Sequence, residues 1–469
     1  MNHAAITRVF CAILIALGAA MAFTWVIAAI AGETSQMLSF GLGTGLCIAL
    51  GVAGFILVGE PRREASINDG LATIILFWII IPLPAALPFV FGVAEDSVID
   101  AWHEAVSCLT TSGQSVVEIA NDAWPDSLLV WRALLHIIGA VAGLTMVLSV
   151  FSAMNLDGPG VHRSIFFTLP DGSFFDGTPR LIRISLLLIM VISSILFLLL
   201  LVEGRQPELA IADALSVATT GLILPNQTSI DGPYGFGALI LAIGLISTAS
   251  GVAVLVNLRA QRWRAALLDP EVILLLFLIG AIGIIAWFAG AGLISGTGWA
   301  VSTLATSGLS LGTPTTNLIN SLPISVLILP AIIGGSALST AGGIKLARIF
   351  ILWRRSVQEF ERLGFRNSVV ALTYRNRAQD ESEIIGIWVY VIAYIAAMTA
   401  LFLVLSFLGN EFALSLADSV GAISNSGWLI DPDVERGQGH TLSLIGAMIL
   451  GRLEVLALIP ALSPSFWQR

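Results

Sequence analysis

The chain has 469 residues, 57% hydrophobic and 11% charged, with a net charge of −9 and a mean hydropathy of +0.92. A soluble globular protein carries about 25% charged residues, so this composition leaves too little polar surface to cover a folded particle in water. Apolar blocks such as 186–202 and 272–288 approach or reach bilayer length, which excludes a soluble enzyme, a secreted disulfide scaffold and a disordered chain and specifies an all-α membrane protein with many spans.

In chain order, residues 1–10 carry only Arg8 before an apolar run to about Ala31. No small-residue cleavage site follows a short apolar core, so this run reads as an uncleaved first span. Blocks long enough to span recur at roughly 37–58, 71–92, 128–151, 181–202, 236–257, 271–293, 322–351, 385–408 and 441–461, about ten spans with the first. Cys11, Cys47 and Cys108 lie inside apolar segments, where cysteine is a small packing residue. Between some spans lie segments too short to cross and too apolar for a solvated loop: 97–115, 207–224, 296–312 and 411–429. A helix that enters the membrane and returns on the same side fits that description.

Orientation follows from Arg and Lys, here 21 Arg and one lysine. With the N-terminus cytoplasmic, the inner loops hold Arg62, Arg63, Arg163, Arg180, Arg183, Arg259, Arg262 and Arg264, then Lys345, Arg348, Arg354, Arg355, Arg362, Arg366, Arg375 and Arg377. The outer loops hold Arg205 and Arg436, with Arg132 near an outer boundary. Both termini are then cytoplasmic, and all four semi-apolar segments fall outside. Outer acids such as Glu95, Asp96, Asp122, Asp231, Asp433 and Glu435 either form a cation-concentrating vestibule or simply keep loops solvated.

The strongest signal is an internal repeat. Each outer segment ends in a polar string closing on glycine: Thr110-Thr111-Ser112-Gly113, Ala218-Thr219-Thr220-Gly221, Ala305-Thr306-Ser307-Gly308 and Ser424-Asn425-Ser426-Gly427. The unit is span, re-entrant helix, string, span. It divides the chain into a two-span leader (1–66) and pore repeats at 67–165, 166–265, 266–358 and 359–469. Rings of backbone carbonyls can replace an ion's hydration shell, and they face a pore only where extended backbone lines a cavity at membrane depth. A single Thr-Gly is a common turn; four at corresponding positions form the four walls of a selectivity filter in one chain. The flanking Leu222-Ile223-Leu224 and Trp428-Leu429-Ile430 are more apolar than a hydrated mouth requires.

Two further features stand out. The stretch 334–343 interrupts an apolar span with Gly334, Gly335, Gly342 and Gly343 and the hydroxyls of Ser336, Ser339 and Thr340. Four glycines at about 1 kcal/mol each relative to Ala break the helix into a local loop; the competing reading is close helix packing by small residues. Arg452 lies within the last span, where an ionisable group is a functional hypothesis by default. It either projects toward the ion path and anchors the glycine loop or pairs with an acid on another helix. Lys345 and Arg348 read as interfacial residues snorkelling at the cytoplasmic end of their span, and 354–383 as a charged cytosolic helix and connector.

Enzyme signatures fail. Gly308-Leu309-Ser310-Leu311-Gly312 matches GxSxG without a preceding strand or triad partners. His3, His103, His136, His162 and His440 have no ligand spacing, and no nucleotide-binding or nucleic-acid motif is present. Asn226-Gln227-Thr228 is a glycosylation sequon that matters only in a secretory pathway.

The chain resembles the Trk/Ktr/HKT potassium transporter superfamily, most closely the bacterial TrkH-type membrane subunit. The resemblance rests on the four-repeat plan behind two leading spans, the run from Gly334 to Lys345, Gly451-Arg452-Leu453-Glu454, and the terminal Ser465-Phe466-Trp467-Gln468-Arg469. It implies uptake of K+ through a central pore selected by the four strings and gated by the 334–345 loop, without a covalent cofactor. It also implies a homodimer in the bacterial inner membrane and a cytosolic nucleotide-binding regulatory subunit (NAD or ATP/ADP), for which 354–383 is a docking surface. The rival reading is a secondary transporter of another cation or a small solute coupled to H+ or Na+, for which Glu454, Asp213 and Asp418 are the available acids.

Overall fold

A computed structural model describes residues 1–61, 63–91, 97–117, 124–151, 174–224, 235–311, 322–364, 372–375, 377–378, 381–431, 434, 436–454 and 466–467. Residues 157–173 of the long loop, the sequon at 226–228, Arg62, Arg163, His162, Gly312, Arg366, the acids Glu95, Asp96, Asp122, Asp231, Asp433 and Glu435, and the terminal Ser465, Gln468 and Arg469 lie outside the described residues.

The described chain is helical apart from a two-stranded hairpin pairing Thr373–Tyr374 with Arg377–Ala378. The leader is an antiparallel pair, His3–Ala31 and Thr34–Leu57, turned by Gly32 at φ 73°. The two helices approach closely because a Cβ on Gly51 would meet the Cys11 carbonyl, and both Cys11 and Cys47 are buried packing residues. The leader is fastened to the body through Asn2, whose N–H donates to Asp69 Oδ1 at 2.7 Å. Asp69 at the same time completes a capping box with Ser66 at the start of Ile67–Ile80.

Among the described residues, seven helices are long and apolar enough to span a membrane by length and composition. The other three expected spans hold shorter helices among the described residues. Their helices cover Phe236–Ala249, Ile324–Ile333 and Gln438–Arg452. The first of these breaks at Ser250 and Gly251 (φ 84°) before resuming at Val252–Arg259. Large apolar side chains on the long helices face outward, among them Leu187, Phe288 and Phe407; such a surface is stable only in an apolar solvent.

Four short helices lie among the long ones: Val98–Leu109, Pro207–Thr219, Leu293–Leu304 and Phe412–Ile423. Their small faces allow close approach, and the Leu109 carbonyl sits where a Cβ on Gly139 of Asp126–Met146 would be. One buried cluster joins the leader to the helices at 67–147, a second joins those at 196–346 to Val420, Trp428 and Leu429, and a third gathers around Tyr390, Tyr394 and Met448.

Candidate functional site

Each short helix ends in the same backbone device. The N–H groups of Thr111, Thr220, Thr306 and Asn425 bond back three residues, to the carbonyls of Cys108, Val217, Thr303 and Ala422. The next N–H in each case reaches back five, from Ser112 to Ser107 (2.9 Å), Gly221 to Ser216 (3.1 Å), Ser307 to Ser302 (3.0 Å) and Ser426 to Gly421 (2.8 Å). Thr111, Thr220, Thr306 and Asn425 all adopt left-handed backbone, with φ of 59°, 54°, 55° and 51°. A non-glycine residue there, β-branched in three of the four strings, stores about 1–3 kcal/mol of strain, so the recurrence at equivalent points is a built feature.

This backbone pattern sets a register that the glycines alone do not. In the second repeat the equivalent string is Thr219-Thr220-Gly221-Leu222, one residue later than an alignment on glycine places it. Ala218 then corresponds to Leu109, Leu304 and Ile423, and Leu222 stands where the other repeats have Gly113, Gly308 and Gly427.

All sixteen residues of the four strings as read from the sequence are buried, and the strings pack on one another. A Cβ on Gly113 would run into the Leu222 backbone, one on Gly427 into Ser112 and Gln114, and one on Gly308 into Trp428. The third-position hydroxyls of Ser112, Ser307 and Ser426 have no hydrogen-bond partner among the described residues. Buried hydroxyls in a protein interior are normally satisfied, which sets these three equivalent positions apart.

The glycine run is a non-helical loop between Ile324–Ile333 and Leu346–Gly364. Its base is closed by Lys345 N–H on the Ile333 carbonyl (3.0 Å) and Leu346 N–H on that of Gly335 (2.9 Å). Gly334 and Gly343 have φ of 70° and 81°, and a Cβ on Gly334 would overlap the Gly342 carbonyl, so no other residue closes this turn. The tip reaches three strings: Thr220 Oγ1 bonds Thr340 Oγ1 (2.9 Å), Gly342 N–H donates to Thr306 Oγ1 (3.0 Å), and Gly342 abuts the Ser424 carbonyl. Ser336 N–H donates to the Ala249 carbonyl (2.8 Å), and Val252 N–H donates to that of Leu338 (3.0 Å). The loop thus crosses the second repeat's span at its break.

Arg452 donates from Nη1 to the Thr340 carbonyl (2.8 Å) and lies over the Trp78 ring at 5.8 Å, while its Nε and Nη2 have no hydrogen-bond partner among the described residues. Glu454 pairs instead with Arg348, which stacks on Tyr390 at 3.9 Å. The snorkelling expected of Lys345 and Arg348 is therefore not what forms. Lys345 is buried and donates to the Ser339 (3.3 Å) and Ala341 carbonyls, because the loop leaves carbonyls at membrane depth that require a donor.

No family model matches the chain. The "Trk system potassium uptake protein TrkH" of Salmonella typhimurium is 26% identical over 505 residues, covering 100% of both chains. The "Trk system potassium uptake protein TrkG" of Escherichia coli is 27% identical over 430 residues, 86% of each. The crystal structure of the potassium transporter TrkH from Vibrio parahaemolyticus superposes with a TM-score of 0.84 at 22% identity, over 100% of both chains. The chain is thus similar over its whole length to Trk-type membrane subunits and shares their fold.

The chain carries a second repeated feature, which the sequence reading missed. Seven residues before each left-handed residue stand Glu104, Asp213, Trp299 and Asp418, the three acids all fully buried. Glu104 pairs with Arg132, Asp213 with Arg205 (2.7 Å), and Asp418 with Arg436 (3.2 Å) and His440 Nε2 (2.7 Å). In the third repeat Trp299 meets Trp428 edge-on at 6.2 Å instead. Arg132 also holds two strings, donating to the Gly113 carbonyl (2.8 Å) and to Ile223 (2.8 Å) and Leu222 (3.4 Å). That explains the apolar run after the second string: Leu222 and Ile223 contribute carbonyls to a buried cation rather than side chains to a wet mouth. The constant spacing from acid to string was the available signal; the arginines, at three different separations from their acids, carried none.

Proposed function

We propose that this Trk-type subunit takes up K+ through a path formed by its four strings, with the 334–345 loop as the gate. The observation that carries the reading is the loop tip itself, in contact with the second, third and fourth strings at Thr220, Thr306 and Ser424. Its relatives are named as potassium uptake proteins. Carbonyls of 110–113, 219–222, 305–308 and 424–427 replace the ion's hydration shell, the backbone hydrogen bonds at the end of each short helix fixing where each string starts. Inward movement is driven by the membrane potential, about 2.3 kcal/mol per charge per 100 mV, and no covalent chemistry is involved.

On this reading the protein lies in the bacterial inner membrane with both termini cytoplasmic, as a homodimer, and a cytosolic nucleotide-binding subunit acts on the charged 354–383 region. A proton- or sodium-coupled solute transporter is less well supported: its candidate acids Asp213, Asp418 and Glu454 are all ion-paired with arginines. The test is K+ uptake from micromolar external K+ in cells lacking their own uptake systems, with and without a cognate regulator. Growth rescue that disappears with Gly113→Ser or Gly308→Ser supports the assignment; no rescue by well-expressed protein overturns it.

A further inference from the structure

The glycine loop is tied to the cytosolic end of the chain through one carboxylate. Glu271 stands in the first turn of Pro270–Phe288, where Asp269 caps the helix by accepting the Glu271 N–H at 3.0 Å. Its side chain is buried, and its two oxygens serve two different parts of the molecule. Oε2 accepts the N–H of Ala337, inside the loop, at 2.9 Å. Oε1 accepts the Tyr374 hydroxyl at 2.5 Å and Arg375 Nη2 at 2.8 Å, and Arg375 also reaches Asp269 at 2.9 Å.

Tyr374 and Arg375 belong to the small hairpin between Leu346–Gly364 and Glu381–Phe407. Burial, and then the Glu271 carboxylate beside it, push the Tyr374 hydroxyl far up from its ordinary value, so it remains a donor. Burial alone would lower Arg375, but Glu271, Tyr374 and Asp269 outweigh it and raise the guanidinium, which stays charged. Tyr374 also packs at 5.9 Å against Phe350, on the helix that leaves the loop.

A carboxylate held by two charge-assisted or phenolic donors on one oxygen is fixed in direction, and the direction here is toward Ala337. We propose that Glu271 is a positioning residue that couples the cytosolic hairpin to the glycine loop. With the hairpin seated, the carboxylate holds the loop against the strings. Displacement of Tyr374 and Arg375 by a cytosolic partner frees the carboxylate to turn, and the loop loses its tie at Ala337. The inference rests on the reading of that loop as the gate, and it adds the lever by which a partner reaches it.

The test uses the full chain in lipid nanodiscs and liposomes. Hydrogen exchange of the 334–345 peptide and K+ flux are compared for the parent, Tyr374→Phe and Glu271→Gln. Removing one donor to a charged acceptor is expected to speed exchange of the loop about tenfold and to raise flux several-fold. Faster exchange with unchanged flux keeps the coupling and overturns the gate. Unchanged exchange in Tyr374→Phe overturns the coupling, whatever the flux does. Tyr374→Phe, lacking only a hydroxyl on a cytosolic hairpin, carries the test if Glu271→Gln does not reach the membrane.

Discussion

Arg452 reaches across 112 residues of sequence to place Nη1 2.8 Å from the Thr340 carbonyl, at the tip of the glycine loop. The same Thr340 bonds Thr220 through its hydroxyl. One cation in the last helix and one string of the second repeat thus hold the loop from two sides. Arg452→Ala removes a charged hydrogen bond, of the order of 1.5–3 kcal/mol. Rubidium flux into liposomes is expected to rise about tenfold or more, with Arg452→Lys intermediate; protein that folds normally and leaks no faster would remove Arg452 from the gate.

Leu222 occupies a position at which Gly113 and Gly308 have φ of 78° and 72°. Leu222→Gly gives the second string the freedom of its counterparts, and K+ is expected to be preferred over Na+ several-fold more strongly in competition flux. An unchanged ratio would show that Arg132, not residue 222, sets the geometry of this wall.

Glu104→Gln leaves Arg132 fully buried without its counter-charge. Breaking a buried pair from one side costs about 3–5 kcal/mol, so a large fall in thermal denaturation temperature in detergent is expected. Charge reversal across the pair, Glu104→Arg with Arg132→Glu, restores stability only in part. The reversed pair cannot supply the donors that Gly113 and Ile223 receive from Arg132.

Gly251 has φ 84°, and a Cβ there would meet Ser336 Oγ and the Leu338 carbonyl. Gly251→Ala combines left-handed strain with that overlap and is expected to loosen the loop, seen as faster hydrogen exchange at 334–345. Gly280 lies within a long helix, and a Cβ there would meet nothing within 4 Å. Gly280→Ala is the matched control and leaves exchange unaltered.

How far could the residues alone be read? Composition and block length determined the membrane-spanning helical class, and the four Ser/Thr-Gly strings marked the ends of four short helices, because these depend on local hydropathy and backbone preference. The same logic located the break at Gly334–Gly343, where four glycines outweigh helix propensity. Local preference could not supply the one-residue shift in the second string, since Gly221 and Leu222 differ only in which turn position they fill once the Gly221 amide bonds Ser216. Nor could it turn Lys345 inward, pair Glu104 with Arg132, or divide Glu271 between the loop and a hairpin about a hundred residues away. Those are consequences of desolvation in three dimensions: a charge or carbonyl removed from water must find a partner, and only the packed chain decides which one is within reach.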